Sequence, residues 1–122
     1  MKPSPFAFAK AVEWAERERE FEKRAGFSLI AYIAVHNKKA PNSEFLTFLE
    51  IIKREAWDER NYVKKAVNWA LRQIGKRNAD LNSLAIETAH EIAAMPVRSA
   101  RWIAADTLRE LTAEAVQKRL KG

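Results

Sequence analysis

No cysteine occurs in the 122 residues, which excludes disulfides, thiolate zinc sites and thiol nucleophiles and suits a reducing compartment, with the cytoplasm as the default expectation. Glycine and proline are scarce, at 3 and 4 residues, and strand signals are nearly absent. Glycine-rich phosphate loops of the GxxxxGK[ST] or GxGxxG type and the HExxH zinc helix do not occur. The two histidines, His36 and His90, are far apart, and His90-Glu91 lacks the second histidine that a zinc helix needs. Ser4, Ser28, Ser43, Ser83 and Ser99 have no nucleophile-elbow context. The start, MKPSPFAFAKAVEW, lacks the apolar segment of a signal peptide, and the longest apolar run, around Gly26 to Val35, is too short to span a bilayer. These absences lead to the expectation of no metal, no cofactor and no membrane partner.

What is present is a chain 48% apolar and 31% charged, the composition of a folded, strongly helical domain. Its length is that of one domain, 1–122. Apolar periodicity and breakers predict helices near 5–18, 21–37, 43–56, 59–77, 80–94, 97–110 and 113–120. Ser4-Pro5 reads as an N-cap followed by proline at the first helical position, and Ser43 with Glu44 opens another helix. Asp58 reads as the N-cap of the fourth, while Met95-Pro96 separates two later ones. The connections are short, so neighbouring helices should be antiparallel.

The segment from Asp58 to Arg77 divides its residues by chemistry. At about 100° per residue, Val63, Ala66, Val67, Ala70, Leu71 and Ile74 gather on one side, and Lys65, Trp69, Arg72 and Lys76 on the other. An indole among cations suits a flat, anionic partner such as nucleic acid; the alternative is that a neighbouring helix or a dimer partner buries it. The charge balance of 22 Lys and Arg against 16 Asp and Glu, a net +6, favours polyanions through a field that salt weakens.

Three segments align as an internal repeat: Lys23 to Ile30, Lys64 to Leu71 and Arg98 to Ala105. Each opens with a basic residue, has a small residue third and continues apolar. The offsets, 64 − 23 = 41 and 98 − 64 = 34 residues, fall in the range of two-helix solenoids. The fold class expected is therefore all-α, a HEAT-like helical repeat (an α-α superhelix) of about seven helices, with a compact bundle as the alternative. In 97–110, Val97, Ala100, Ala104, Thr107, Leu108 and Leu111 form the packing side, and Arg98, Trp102, Ala105 and Arg109 lie opposite. Arg24, Ser28 and Tyr32 follow one another at steps of four in 21–37. A solenoid would gather these lines on one concave surface.

Carboxylates read mostly as solvated. The run from Glu16 to Glu20 alternates acid and base, a pattern of surface pairing on a helix. Asp106, one turn from Trp102 and near Arg109, is the one acid whose setting suggests chemistry, and no second catalytic group converges on it.

Tyr62 to Arg72, YVKKAVNWALR, closely resembles a signature helix of the DNA alkylation repair enzymes, the AlkD-like DNA glycosylases built from HEAT-like repeats. Lys23-Arg24-Ala25, leading into an apolar helix about one repeat upstream, is similar as well. The resemblance spans nearly the whole chain and corresponds to the C-terminal half of a typical member. It implies a basic groove that holds alkylated duplex DNA and an activity that hydrolyses the glycosidic bond of N3- or N7-alkylated purines. Trp69 would pack on the deoxyribose of the lesion, Arg72 would contact the DNA backbone, and Arg24 would line the groove. The family's catalytic aspartate, preceded by a tryptophan four residues earlier, lies on a helix upstream of this stretch. Trp102 and Asp106 repeat that spacing in a different repeat, so the role does not transfer. The catalytic residue is thus unknown, and this chain alone is expected to bind rather than to cleave. Arg24, Lys65, Trp69, Arg72, Lys76, Arg98 and Trp102 are the expected DNA-binding residues. The partner expected is duplex DNA, alkylated or not, with a homodimer formed through an exposed inter-repeat face as a further expectation. The competing reading is a HEAT-like protein-interaction scaffold whose basic face takes an acidic partner, with Trp69 as its anchor.

Overall fold

A computed structural model of the chain describes residues 5–121. These contain seven helices and no strand: α1 (Pro5–Ala15), α2 (Glu20–His36), α3 (Asn42–Glu55), α4 (Asn61–Gly75), α5 (Ala79–Ala93), α6 (Arg98–Leu111) and α7 (Glu114–Lys121). The odd helices α1, α3 and α5 pack in sequence, as do α2, α4 and α6, and each odd helix packs on the even helix that follows it. The result is two layers of helix pairs, the all-α repeat architecture that the periodicity implies. Odd helices begin 37 residues apart each time (42 − 5 and 79 − 42), and even helices 41 and 37 apart (61 − 20 and 98 − 61). The sequence alignment, with its offset of 34, is therefore three residues out in the last repeat. Buried Val63, Val67 and Ile74 correspond to Ala100, Ala104 and Leu111, so Trp102 is the counterpart of Lys65 and Asp106 that of Trp69.

Between the layers lies a core of Phe27, Ile30, Phe45, Phe48, Ile52, Val63, Leu71, Ile74, Leu81, Ile92, Ile103 and Leu111, all withdrawn from water. All six residues expected on the packing side of α4 are buried. On α6 the core also takes Ser99 and Ile103, which the sequence reading left out.

Gly26 sits where α2 crosses the end of α1, and a Cβ there would overlap the backbone of Trp14 and Ala15. Backbone cannot swing aside as a side chain can. Gly26→Ala is expected to destabilise the protein by about 1–3 kcal/mol, although alanine favours a helix interior by about 1 kcal/mol. Urea denaturation of the two proteins measures the difference.

Helix ends differ from the sequence expectations in instructive ways. The helix expected over 5–18 stops at Ala15, and most of the alternating run from Glu16 to Glu20 forms the connection into α2. There Glu16 pairs with Arg54 and Arg17 with Glu13 and Glu22, so the surface pairing joins neighbouring elements instead of running along one helix as expected. The Ser4 cap lies outside the described residues. Pro41, not Ser43, occupies the N-cap position of α3. Arg60, not Asp58, occupies that of α4, because Asp58 is drawn inward by buried partners. Asn78 caps α5 by accepting a hydrogen bond from the Leu81 N–H at 2.9 Å.

Candidate nucleic-acid interface

Each even helix buries one side against the odd layer and leaves the opposite side to solvent. Seven large hydrophobic side chains are exposed among the described residues, and five lie on even helices: Phe21 and Tyr32 on α2, Tyr62 and Trp69 on α4, and Trp102 on α6. Trp69 and Trp102 are each 39% exposed, so among the described residues neither indole is fully covered by a neighbouring helix. The face is organised by contacts between helices. Phe21 and Tyr62 lie 5.7 Å apart between ring centroids, and the Arg24 guanidinium stands 5.3 Å from the Tyr62 ring. Lys64 Nζ lies 5.3 Å from the Trp102 ring, tying α4 to α6 through a cation–π contact. Tyr32 and His36 stack at 4.3 Å near the other end of α2.

The cations on this face fall into two groups. Arg24, Lys64, Lys65, Arg98 and Arg101 have no carboxylate within ion-pair distance among the described residues, and they gather toward the N-terminal ends of the even helices. Arg72, farther along α4, and Lys76, just past its end, are paired with a shared carboxylate. Arg72 donates to Glu110 Oε1 at 2.7 Å and to Asn68 Oδ1 at 2.8 Å, and Lys76 Nζ reaches Glu110 Oε2 at 2.6 Å. Burial alone would push the Glu110 carboxyl up, but hydrogen bonds from Lys76 and Arg72 outweigh it and hold the group below its ordinary value. Asn68 in turn donates to Thr107 Oγ1 at 3.3 Å, so Arg72 heads a polar seam between α4 and α6.

Asp106 lies in the same seam. It accepts from Arg109 at 3.1 Å and faces Arg72 Nε at 3.7 Å, a carboxylate held between two guanidinium groups. Among the described residues no group of three or more His, Cys, Asp or Glu could hold a metal ion, and no helix is long and apolar enough to cross a membrane.

Six of the seven residues expected to bind DNA thus lie on the even helices and the seventh, Lys76, just past the end of α4, but they do not form a single line. Trp69 and Trp102 occupy different repeat positions, and Arg72 and Lys76 serve the packing of α4 on α6 as well as the surface. Sequence reasoning missed Phe21, Tyr62, Lys64 and Arg101. The one available signal was that Phe21 and Tyr62 each stand at the start of a predicted helix, 41 residues apart.

The structure also assigns a role to Asp58, which the sequence reading placed at a cap, and to Lys23, which opens the first repeat segment. Lys23 is 3% exposed and donates to Glu55 Oε1 at 2.7 Å and to Asp58 Oδ2 at 3.0 Å. Asp58, 2% exposed, also accepts from Arg60 through its backbone N–H at 3.1 Å, Nε at 3.0 Å and a terminal guanidinium nitrogen at 2.8 Å. This cluster fixes the start of α4, and with it Tyr62 and Lys65, against α2.

No curated protein and no solved structure gives a significant match to the chain. The sequence pattern of a family described as DNA alkylation repair enzyme matches residues 4–118, nearly the whole length, and so includes all of α2, α4 and α6. The chain belongs to the DNA alkylation repair enzyme family.

Proposed function

We propose that the exposed face of α2, α4 and α6 binds duplex DNA, alkylated duplex included, and that this chain supplies binding rather than glycosidic cleavage. The observation that carries the reading is the coincidence of five exposed aromatic side chains with five uncompensated cations on one layer of the fold. Phosphate contacts position a duplex, and aromatic faces meet sugars or partly unstacked bases. Trp69 is the aromatic placed against deoxyribose, and Arg24, Lys65 and Arg98 are the backbone contacts. Arg72 and Lys76 set the shape of the groove between α4 and α6 and contribute less charge.

Binding of a fluorescent duplex as a function of salt tests the reading. If three to five phosphates are neutralised, the logarithm of affinity should fall against that of salt with a slope of about −3 to −4.5. Absence of binding at about 50 mM salt would refute it, and equal affinity for polyglutamate would favour an acidic protein partner instead. Incubation with methylated DNA is expected to release no free purine.

A further inference from the structure

A cleft of about 480 Å³ opens where the C-terminal ends of α2 and α4 meet α7. Lys38, Lys76, Arg77 and Arg119 line it together with Gln73, and no carboxylate does. Helix C-termini crowd carbonyl oxygens into such a place, so cations there could serve only to satisfy them. Two do so in part. Arg77 donates to the carbonyls of Ala34 at 3.0 Å and Ala40 at 2.9 Å, and Arg119 donates to that of Lys76 at 2.8 Å. A carbonyl accepts a hydrogen bond but cancels no charge.

The charge count therefore remains positive. Lys76 has its counter-ion in Glu110, whereas Lys38, Arg77 and Arg119 have no carboxylate within ion-pair distance among the described residues. Arg77 carries the cost visibly: burial lowers its pKa, opposed only by the charge of Glu44, which makes no ion pair with it. Its Nε is buried without a hydrogen-bond partner. Arg77 is held in place by its two carbonyl bonds and by the Phe45 ring, 4.4 Å from its guanidinium, and Arg119 by one carbonyl bond at the exposed rim, so a ligand would meet planar donors partly positioned.

We propose that this cleft is a phosphate-binding site, filled by a phosphate group carried either on a nucleic-acid end or on a small organic phosphate. Two carbonyl-bonded guanidinium groups, the Lys38 ammonium and the Gln73 amide match a tetrahedral group rich in acceptor oxygens better than they match a planar carboxylate. The volume admits a diphosphate or a phosphate with its attached sugar. The cleft shares only Lys76 with the aromatic face, so the proposal stands whether or not that face binds duplex DNA.

Amide and indole NMR of the full chain, titrated with inorganic pyrophosphate at matched ionic strength, tests it. Amides of Lys38 and Asn78 should shift saturably while the indole signals of Trp69 and Trp102 stay fixed. A Lys38→Glu, Arg119→Glu double variant, altered at two exposed side chains and checked by circular dichroism, should bind pyrophosphate at least about tenfold more weakly. Absence of a saturable shift in the native protein, or unchanged affinity in the folded double variant, would overturn the proposal. A second arm identifies the source. A 5′-phosphorylated duplex that shifts these amides where its hydroxyl-ended twin does not assigns the site to nucleic-acid ends, and pyrophosphate binding without that difference assigns it to small organic phosphates.

Discussion

Asp58→Ala is expected to destabilise the protein by about 3–5 kcal/mol, the usual consequence of removing one partner from a buried ion cluster. The substitution leaves Lys23, 3% exposed, with Glu55 as its one remaining counter-ion among the described residues and releases Arg60 from the start of α4. Asp58→Asn should cost less, because the amide oxygen still accepts from Arg60 while the charge facing Lys23 is lost. The same cluster makes stability depend on acid. Burial would push the Asp58 carboxyl up, but hydrogen bonds from Arg60 and Lys23 prevail and lower it from 3.8 to about 2. A folded-state value below the unfolded one means that the stabilisation is complete above pH 3.8 and disappears as pH falls toward 2. The amount at stake is about 2 kcal/mol. Urea denaturation at pH 7 and at pH 3 should show this acid-sensitive component in the native protein and its absence in Asp58→Ala.

Trp69→Ala should weaken duplex binding by about 1–3 kcal/mol, roughly five- to hundredfold, with the fold intact because the indole is already part-exposed. Trp57→Ala, at an exposed tryptophan off the even layer, should change affinity by less than about threefold. Arg72→Ala should also weaken binding, but by a different route. Arg72 shares Glu110 with Lys76, so its loss leaves a less compensated carboxylate beside the DNA-facing surface. Adding Glu110→Gln to Arg72→Ala should therefore recover most of the lost affinity, whereas adding it to Trp69→Ala should recover little. If the Arg72→Ala, Glu110→Gln pair binds as poorly as Arg72→Ala alone, Arg72 itself touches the phosphate backbone.

The two faces of α4 were legible in the sequence because its chemistry is one-sided: every residue expected inside is buried, and Lys65 and Trp69 are outside. The family was legible from the same helix. What the sequence hid are relations between distant residues. Lys23 and Asp58 are charged and 35 residues apart, and nothing local tells that they meet in the interior. Arg72 and Lys76 read as free surface cations because Glu110, which pairs with both, lies a repeat away. Phe21 and Tyr62 likewise become a pair only when α2 packs on α4. The slip of three residues in the last repeat has a physical cause too. Small and apolar residues follow one another on every amphipathic helix, so an alignment can move by nearly one turn without losing its pattern.

Four tryptophans make the decisive measurement simple, since two lie on the even face and two, Trp14 and Trp57, lie elsewhere. Indole N–H signals should be followed by NMR while the protein is titrated with a short duplex at low salt. Binding by the even layer predicts saturable shifts for Trp69 and Trp102 and essentially none for Trp14 and Trp57. Shifts confined to Trp14 or Trp57, or no shift at all, would contradict it.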